Sequence, residues 1–392
     1  MTVRGDHIGI RVRHWRLKRS LSQRQLAGLA GVSQGYIAQI EAGTKAVDKR
    51  SVQAALAGAL QVSVADLTGQ PYDPQTIEHT AAAGAVPSVR AALLAMALDD
   101  RREPRRSIGE LRKATTVAAD LHNACRYDQL VPLLPDLLRD LYAFGDEPEA
   151  LRLLSWTTYA ATFAAKYLGY PDLALLASGQ VSQTASRLGD PAWLGVAEFA
   201  TVHSLPPESK DLAARRLPKA IARLEPSSGD GTAAQVYGML HFTAALFSAV
   251  SGESPDAHAH LNEADQVATR TGEGNFAQMW FGPTNAKIWR TGVYAELGEG
   301  GRALRLADVD VSQIGSRNRQ ATYFSDLGRA LAQTKRHDRE ALTYLLRAES
   351  IAPQRVRLSP PVRETVGAML RRARKAAGGR DLQDLAARLG TV

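Results

Sequence analysis

Residues 21–45 read LSQRQLAGLAGVSQGYIAQIEAGTK, and the punctuation of this stretch defines two short helices and the turn between them. Ser22-Gln23-Arg24-Gln25 is a capping box: the Ser22 hydroxyl accepts from the Gln25 backbone N–H, and the Gln25 side chain reaches back. The helix it opens runs to Ala30, where Gly31 breaks it. Ser33 caps a second helix from Gln34 to Glu41, and Ala42-Gly43 ends that one. Small Ala27 falls where the two helices cross, and Leu26, Val32, Ile37 and Ile40 supply a buried wedge. A second helix held in this way protrudes, and a protruding helix fits the major groove.

The flanking sequence extends the pattern to five helices over residues 1–70. Asp6 is placed to cap a first helix running to about Lys18, with Ile8, Val12 and Trp15 on one stripe. Asp48 is placed to cap a fourth helix ending near Leu60. Ser63-Val64-Ala65-Asp66 opens a last short turn, closed by Gly69-Gln70-Pro71. The net charge of the 392-residue chain is +8, and residues 1–70 hold ten Lys/Arg against four Asp/Glu. That leaves +6 on the first 70 residues and only +2 on the rest, a distribution suited to a polyanionic partner.

The stretch resembles the helix-turn-helix of the lambda-repressor-like, or Cro/xenobiotic-response-element, family of transcription regulators. The matching residues are Gln23, Leu26, Ala27, Gly31, Val32, Ser33, Ile37, Ile40, Glu41 and Gly43, with Leu56, Leu60, Val62 and the VADL of 64–67 behind them. The resemblance implies a recognition helix from Ser33 whose exposed face is Gln34, Gly35, Tyr36 and Gln39, followed by Thr44 and Lys45. Gln pairs bidentately with adenine, and Tyr36 suits a thymine methyl or a phosphate. Gly35 departs from the family, where a side chain is common. Gln23 resembles the family's phosphate-clamping Gln, at a helix N-terminus that favours an anion. Arg16, Lys18, Arg19, Arg24, Lys49 and Arg50 are charge that positions without specifying sequence. Glu41 reads instead as a structural partner for a nearby Arg. Such regulators bind double-stranded DNA as dimers on half-sites about one helical turn apart, ~34–36 Å. The expected assembly is therefore a homodimer.

Residues 71–106 read as a connector. Pro71, Pro74, Pro87 and Pro104 punctuate it, and one apolar helix, about Ser88 to Leu98, interrupts it as a joint or dimer contact. From 107 to 392 helix follows helix between Gly, Pro and Asp turns, so the whole chain is all-α. A loose repeat of about 38 to 46 residues runs through this half. Gly145 precedes Ala150 and Leu154. Gly252 precedes Ala257, Leu261 and Ala264. Gly298 precedes Ala303, and Leu327-Gly328 precedes Ala341, Leu345 and Ala348. The order is tetratricopeptide-like. A helix-turn-helix reader joined to such repeats resembles the peptide-sensing regulators of the Rgg/PlcR kind, which implies a concave groove for a peptide or small-molecule effector. Candidate groove residues are Trp280, Asn285 and Trp289, with Tyr237 and His241 on the neighbouring repeat.

Several function classes find no support in the sequence. A single cysteine, Cys125, makes neither an intrachain disulfide nor a Cys-based zinc site, and it suits a reducing bacterial cytoplasm. The N-terminus has no secretory h-region, and no uninterrupted apolar run reads as a membrane span. Gly272-Glu273-Gly274-Asn275-Phe276-Ala277 imitates a dinucleotide fingerprint, but it follows a helix rather than a strand. His258 and His260 lie on different helix faces and make poor metal partners. No cofactor and no catalytic constellation is expected. The alternative to a ligand-modulated regulator is a helical-repeat interaction scaffold that the basic domain tethers to DNA.

Overall fold

The computed structural model describes residues 7–206, 209–227, 229, 231–333, 337–373 and 379–391. Every regular element among these residues is a helix. Five helices form a reading head: α1 (Ile8–Lys18), α2 (Gln23–Ala30), α3 (Gln34–Glu41), α4 (Arg50–Leu60) and α5 (Val64–Thr68). Local chemistry sets most of their boundaries. Gln25 N donates to Ser22 Oγ at 3.2 Å, and Ser22 N donates to Gln25 Oε1 at 2.8 Å. Gly31 ends α2 at φ +65°, where a side chain is strained. Tyr36 N donates to Ser33 Oγ at 3.2 Å, and Ser63 with Asp66 forms a second capping box on α5. The head closes on its own core of Ile8, Val12, Leu26, Ile37, Ile40, Leu56, Leu60 and Leu67. Gly9 allows α1 to cross α3 closely, since a Cβ there would collide with the Ile40 carbonyl.

Two of the head's helix starts differ from expectation. Asp6 lies outside the described residues, and α1 follows His7, whose side chain makes no cap. Asp48 does not cap α4. Lys49 holds that position without a side-chain hydrogen bond, and Asp48 is buried against the second body of the molecule. The missing caps are supplied from there. Ile8 N, at the start of α1, donates to Glu364 Oε1 at 2.9 Å, and Ser51 N, at the start of α4, donates to Glu296 Oε1 at 3.1 Å. A carboxylate at a helix N-terminus satisfies an orphan N–H and the positive end of the dipole together.

The second body runs from α6 (Ile77–Ala97) through α7 (Ile108–Asn123), α8 (Tyr127–Ala143), α9 (Pro148–Leu168), α10 (Pro171–Leu188), α11 (Pro191–Ser204) and α12 (Lys210–Leu224). It continues with α13 (Gly231–Ser251), α14 (Ser254–Thr271), α15 (Pro283–Leu297), α16 (Gly300–Leu304), α17 (Arg317–Ala332) and α18 (Asp338–Ile351). Three further helices close it: α19 (Pro353–Arg357), α20 (Pro360–Ala373) and α21 (Arg380–Arg388). Successive helices pack as antiparallel-style pairs, most extensively α9 with α10, α13 with α14 and α17 with α18. One continuous core runs through them from Ala82 to Leu389.

Three expectations change here. Residues 71–106 are not a connector throughout, because α6 belongs to this core. It starts eleven residues earlier than Ser88, at Ile77, and Pro87 sits inside it. Ala82, Val86, Val89, Leu93 and Met96 form one buried stripe across the proline. A helix-interior proline costs about 3 kcal/mol, and burying several such side chains at ~1.5–3 kcal/mol each outweighs it. The glycine-to-alanine pattern does not keep register either. Ala150 and Leu154 open α9, whereas Ala257 and Ala341 open α14 and α18, the second helices of their pairs. The first helices begin at 148, 191, 231, 283 and 317, which gives spacings of 43, 40, 52 and 34. The pattern therefore marks close helix turns rather than one repeat phase. Finally, α6 and α13 are each long and apolar enough by composition to cross a membrane, with mean hydropathy of 1.4 and 1.3. α13 is a core helix, buried over most of its length, whereas α6 buries one stripe only.

Candidate nucleic-acid interface

The exposed side of α3 is made by Gln34, Gly35 and Gln39. Ile37 and Ile40 on the opposite side are fully buried and fix the rotation of the helix about its axis. Tyr36 is half-buried against the head's core. Burial and the nearby Asp48 carboxylate push its hydroxyl up to about 12, so it stays protonated. Thr44 follows the helix and donates its hydroxyl to the Gln39 carbonyl at 3.2 Å. Lys45 beside it is half-exposed. Among the described residues Arg24, exposed on the first turn of α2, pairs with no carboxylate.

The structure divides the head's other basic residues into two groups with different jobs. Arg16 is buried, and its guanidinium is spent inside the protein. Nε donates to Glu41 Oε1 at 2.5 Å, Nη2 to Glu41 Oε2 at 2.9 Å and Nη1 to the Leu21 carbonyl at 2.8 Å. Burial pushes the Glu41 carboxyl up, but hydrogen bonds from Arg16 and Gln23 outweigh it and leave the group below its usual range. The role expected for Glu41 is thus the one it has, while Arg16 is corrected from phosphate contact to core ion pair. Gln23 Nε2 also donates to Glu41, at 2.9 Å, so its amide is oriented from within. Arg19 is exposed, yet it donates to the Leu60 and Gln61 carbonyls at 3.1 and 3.3 Å. It closes the C-terminus of α4 instead of standing free for phosphate.

Lys49 and Arg50 face the second body, which corrects them too. Arg50 Nη1 lies 3.8 Å from Glu296 Oε2, and the Lys49 ammonium lies against Gly298. Between them sits a buried ion cluster. Arg329 donates to Asp326 Oδ1 at 2.8 Å and to the Asp48 carbonyl at 2.7 Å, with the Asp48 carboxylate at 3.6 Å and Glu296 at 3.9 Å. A second strut joins Arg371 Nε on α20 to the Gly43 carbonyl, at 2.6 Å, just beyond the end of α3. The head is therefore docked through α1, the α3–α4 loop and α4, and the outer side of α3 is left open. One basic residue escaped sequence reasoning: Arg13 on α1 is exposed and close enough to Glu41 to lower its acidity range. Its charge was legible, but its exposure and its proximity to Glu41 required the fold.

Residues 7–68 match the family model of a helix-turn-helix domain. The chain carries a DNA-binding reading head of the kind used by transcription regulators. No curated protein and no solved structure matches the chain.

The groove candidates separate in the same way. Asn285 is fully buried and donates to the Met279 carbonyl at 3.3 Å, and Tyr237 and His241 are also buried. His241 Nδ1 meets His260 Nδ1 at 3.0 Å. Trp280 is half-buried and donates from Nε1 to Asn123 Oδ1 at 3.0 Å. These four are internal packing. Trp289 alone of the five lines a large cavity, of about 510 Å3, between the second body and the head. The other cavity residues were invisible in the sequence because they come from α4, α5, α9, α10, α11, α13, α15, α17, α19 and α20.

Proposed function

We propose that this chain is a sequence-specific, ligand-modulated transcription regulator that acts as a homodimer in the cytoplasm and performs no catalysis. The observation that carries the reading is the open face of α3: Gln34 and Gln39 project from a helix whose opposite side is locked into a core, while the head is anchored elsewhere. Gln34 and Gln39 read base edges, with Tyr36 and Thr44 beside them. Gln23, Arg24 and Lys45, together with exposed Arg13, hold phosphates. The second body, with its tetratricopeptide-like helix pairs, senses the effector and supplies the dimer contact. Leu94 and Leu98 at the end of α6, Val117 on α7 and Leu133 on α8 are exposed apolar side chains on helices that pack together, and they favour that contact.

The test is DNA affinity by fluorescence anisotropy, on the site the wild type prefers and on random duplex. Gln34→Ala or Gln39→Ala costs roughly 1–3 kcal/mol on the preferred site and relaxes specificity there. An equal loss on random duplex removes the base-reading role.

A further inference from the structure

The cavity of about 510 Å3 is closed on one side by the reading head, through Arg50 and Gln53 of α4 and residues of α5. Its other walls come from the helix pairs. The volume falls within the range of small-molecule sites, ~300–1,000 Å3. Its lining has an unusual charge balance. Five cations line it (Arg50, Lys166, Arg319, Arg329 and Arg355) against two carboxylates, Asp172 and Asp326. Asp326 is already committed to Arg329 at 2.8 Å, and Asp172 lies at the exposed start of α10.

Lys166, Arg319 and Arg355 are the telling residues. Among the described residues none of the three pairs with a carboxylate. The Lys166 ammonium donates to the His203 carbonyl at 2.6 Å, and Arg355 Nε donates to Asn318 Oδ1 at 3.2 Å. Arg319 lies over the Trp289 ring at 5.0 Å, and Arg355 lies over Tyr167 at 4.0 Å. Enclosing cations without an anion is costly. The cost shows at Lys166, held down to about 7 by burial and by the charges of Arg50, Arg355 and Arg319. One part of the lining is an aromatic wall. Phe163, Phe199, Phe247 and Trp289 surround His203, with ring centroids from 4.3 to 6.3 Å from its own.

We infer that this cavity is a binding site for a small organic anion: an acid group held by Lys166, Arg319 and Arg355, and a ring-sized apolar body against the aromatic wall. A carboxylate or phosphate meets guanidinium groups with charge-assisted, bidentate hydrogen bonds. The aromatic lining and the volume call for more than an inorganic ion. Because α4 forms part of the wall, an occupant touches the head and the helix pairs at once. The inference rests on the effector reading above for its regulatory meaning, while the site itself does not depend on it.

The experiment is a fluorescence titration of the full-length protein with two probes of one ring system, anionic anilinonaphthalene sulfonate and neutral phenylnaphthylamine. The expected result is saturable binding of the sulfonate, weakened about tenfold or more by Arg319→Met and by Arg355→Gln, with the neutral probe little changed. Arg355→Gln keeps an amide for Asn318, and circular dichroism checks that both variants fold. Equal losses for the two probes, or a sulfonate affinity that neither variant alters, overturns the site. Binding is read without DNA, so failure of the regulator reading leaves this result standing. Adding the sulfonate to a wild-type DNA complex then separates site from regulation. A shift in DNA affinity that Arg319→Met abolishes is expected, and no shift overturns the regulatory role alone.

Discussion

At the scale of single residues, identical side chains in one small domain have opposite roles, and burial decides between them. Arg16 and Arg24 differ by eight positions. Arg16 fills its donors with Glu41 and Leu21, whereas Arg24 stands on an open helix start. Arg16→Ala leaves the Glu41 carboxylate with Gln23 as its remaining side-chain partner, and the loss is at most the ~3–5 kcal/mol of breaking a fully buried pair. Urea unfolding is expected to show a loss within that limit. Arg24→Ala is expected to leave the midpoint in place, weaken binding to all DNA sequences alike and flatten the salt dependence of affinity. A sequence-selective loss contradicts the phosphate role.

Lys166 makes the second prediction at this scale. Its folded pKa of about 7 lies below the unfolded value of about 10.4. Between those values the unfolded chain binds more protons, so Lys166 makes stability rise with pH from about 7 upward. Lys166→Met removes this dependence and stabilises the empty protein most at and below pH 7. Thermal unfolding of both proteins between pH 6 and 9 checks it, with identical slopes as the contradicting result. None of this was legible beforehand. The sequence shows which residues are cationic, but not that three cations from α9, α17 and α19 converge on one space.

At the scale of elements, legibility follows the range of the interaction that defines each helix. The boundaries of α2, α3 and α5 rest on Ser22, Ser33 and Ser63 bonding three residues ahead, and these were readable from a few letters. The starts of α1 and α4 were not, because their caps come from Glu364 and Glu296, 356 and 245 residues away. α6 was truncated at Pro87 because the rule that proline breaks helices is local, while the burial that overrides it is tertiary. The trans caps also predict how the head is held. Glu296→Ala and Glu364→Ala each remove an N-terminal cap worth about 0.5–2 kcal/mol. Limited proteolysis is expected to cut after the head, in residues 69–76, faster in both variants than in wild type. Unchanged cleavage sinks the idea that these glutamates hold the head.

At the scale of the whole molecule, the head and the helix pairs share a buried boundary of Asp48, Glu296 and Arg329, with the cavity beside it. Gln34 and Gln39 are exposed on one side of the head, and the boundary occupies another. In the proposed regulator, a ligand in the cavity acts on the head through this boundary, without touching Gln34 or Gln39. Charge concentration over residues 1–70 announced a polyanion partner, and part of that charge, at Arg16, Arg19, Lys49 and Arg50, proved to be structural. The helical repeat was visible as a composition of small residues at turns, but its phase was not, since any tight helix turn selects the same residues.

The central claim is that α3 reads a DNA sequence in the context of the whole chain. Selection of bound duplexes from a random pool, with full-length protein at near-physiological salt, tests it most directly. The account predicts enrichment of a palindrome whose half-sites lie about one helical turn apart, ~34–36 Å. Binding that is salt-sensitive but enriches no sequence would contradict it, and would leave the head as a tether for a helical-repeat scaffold.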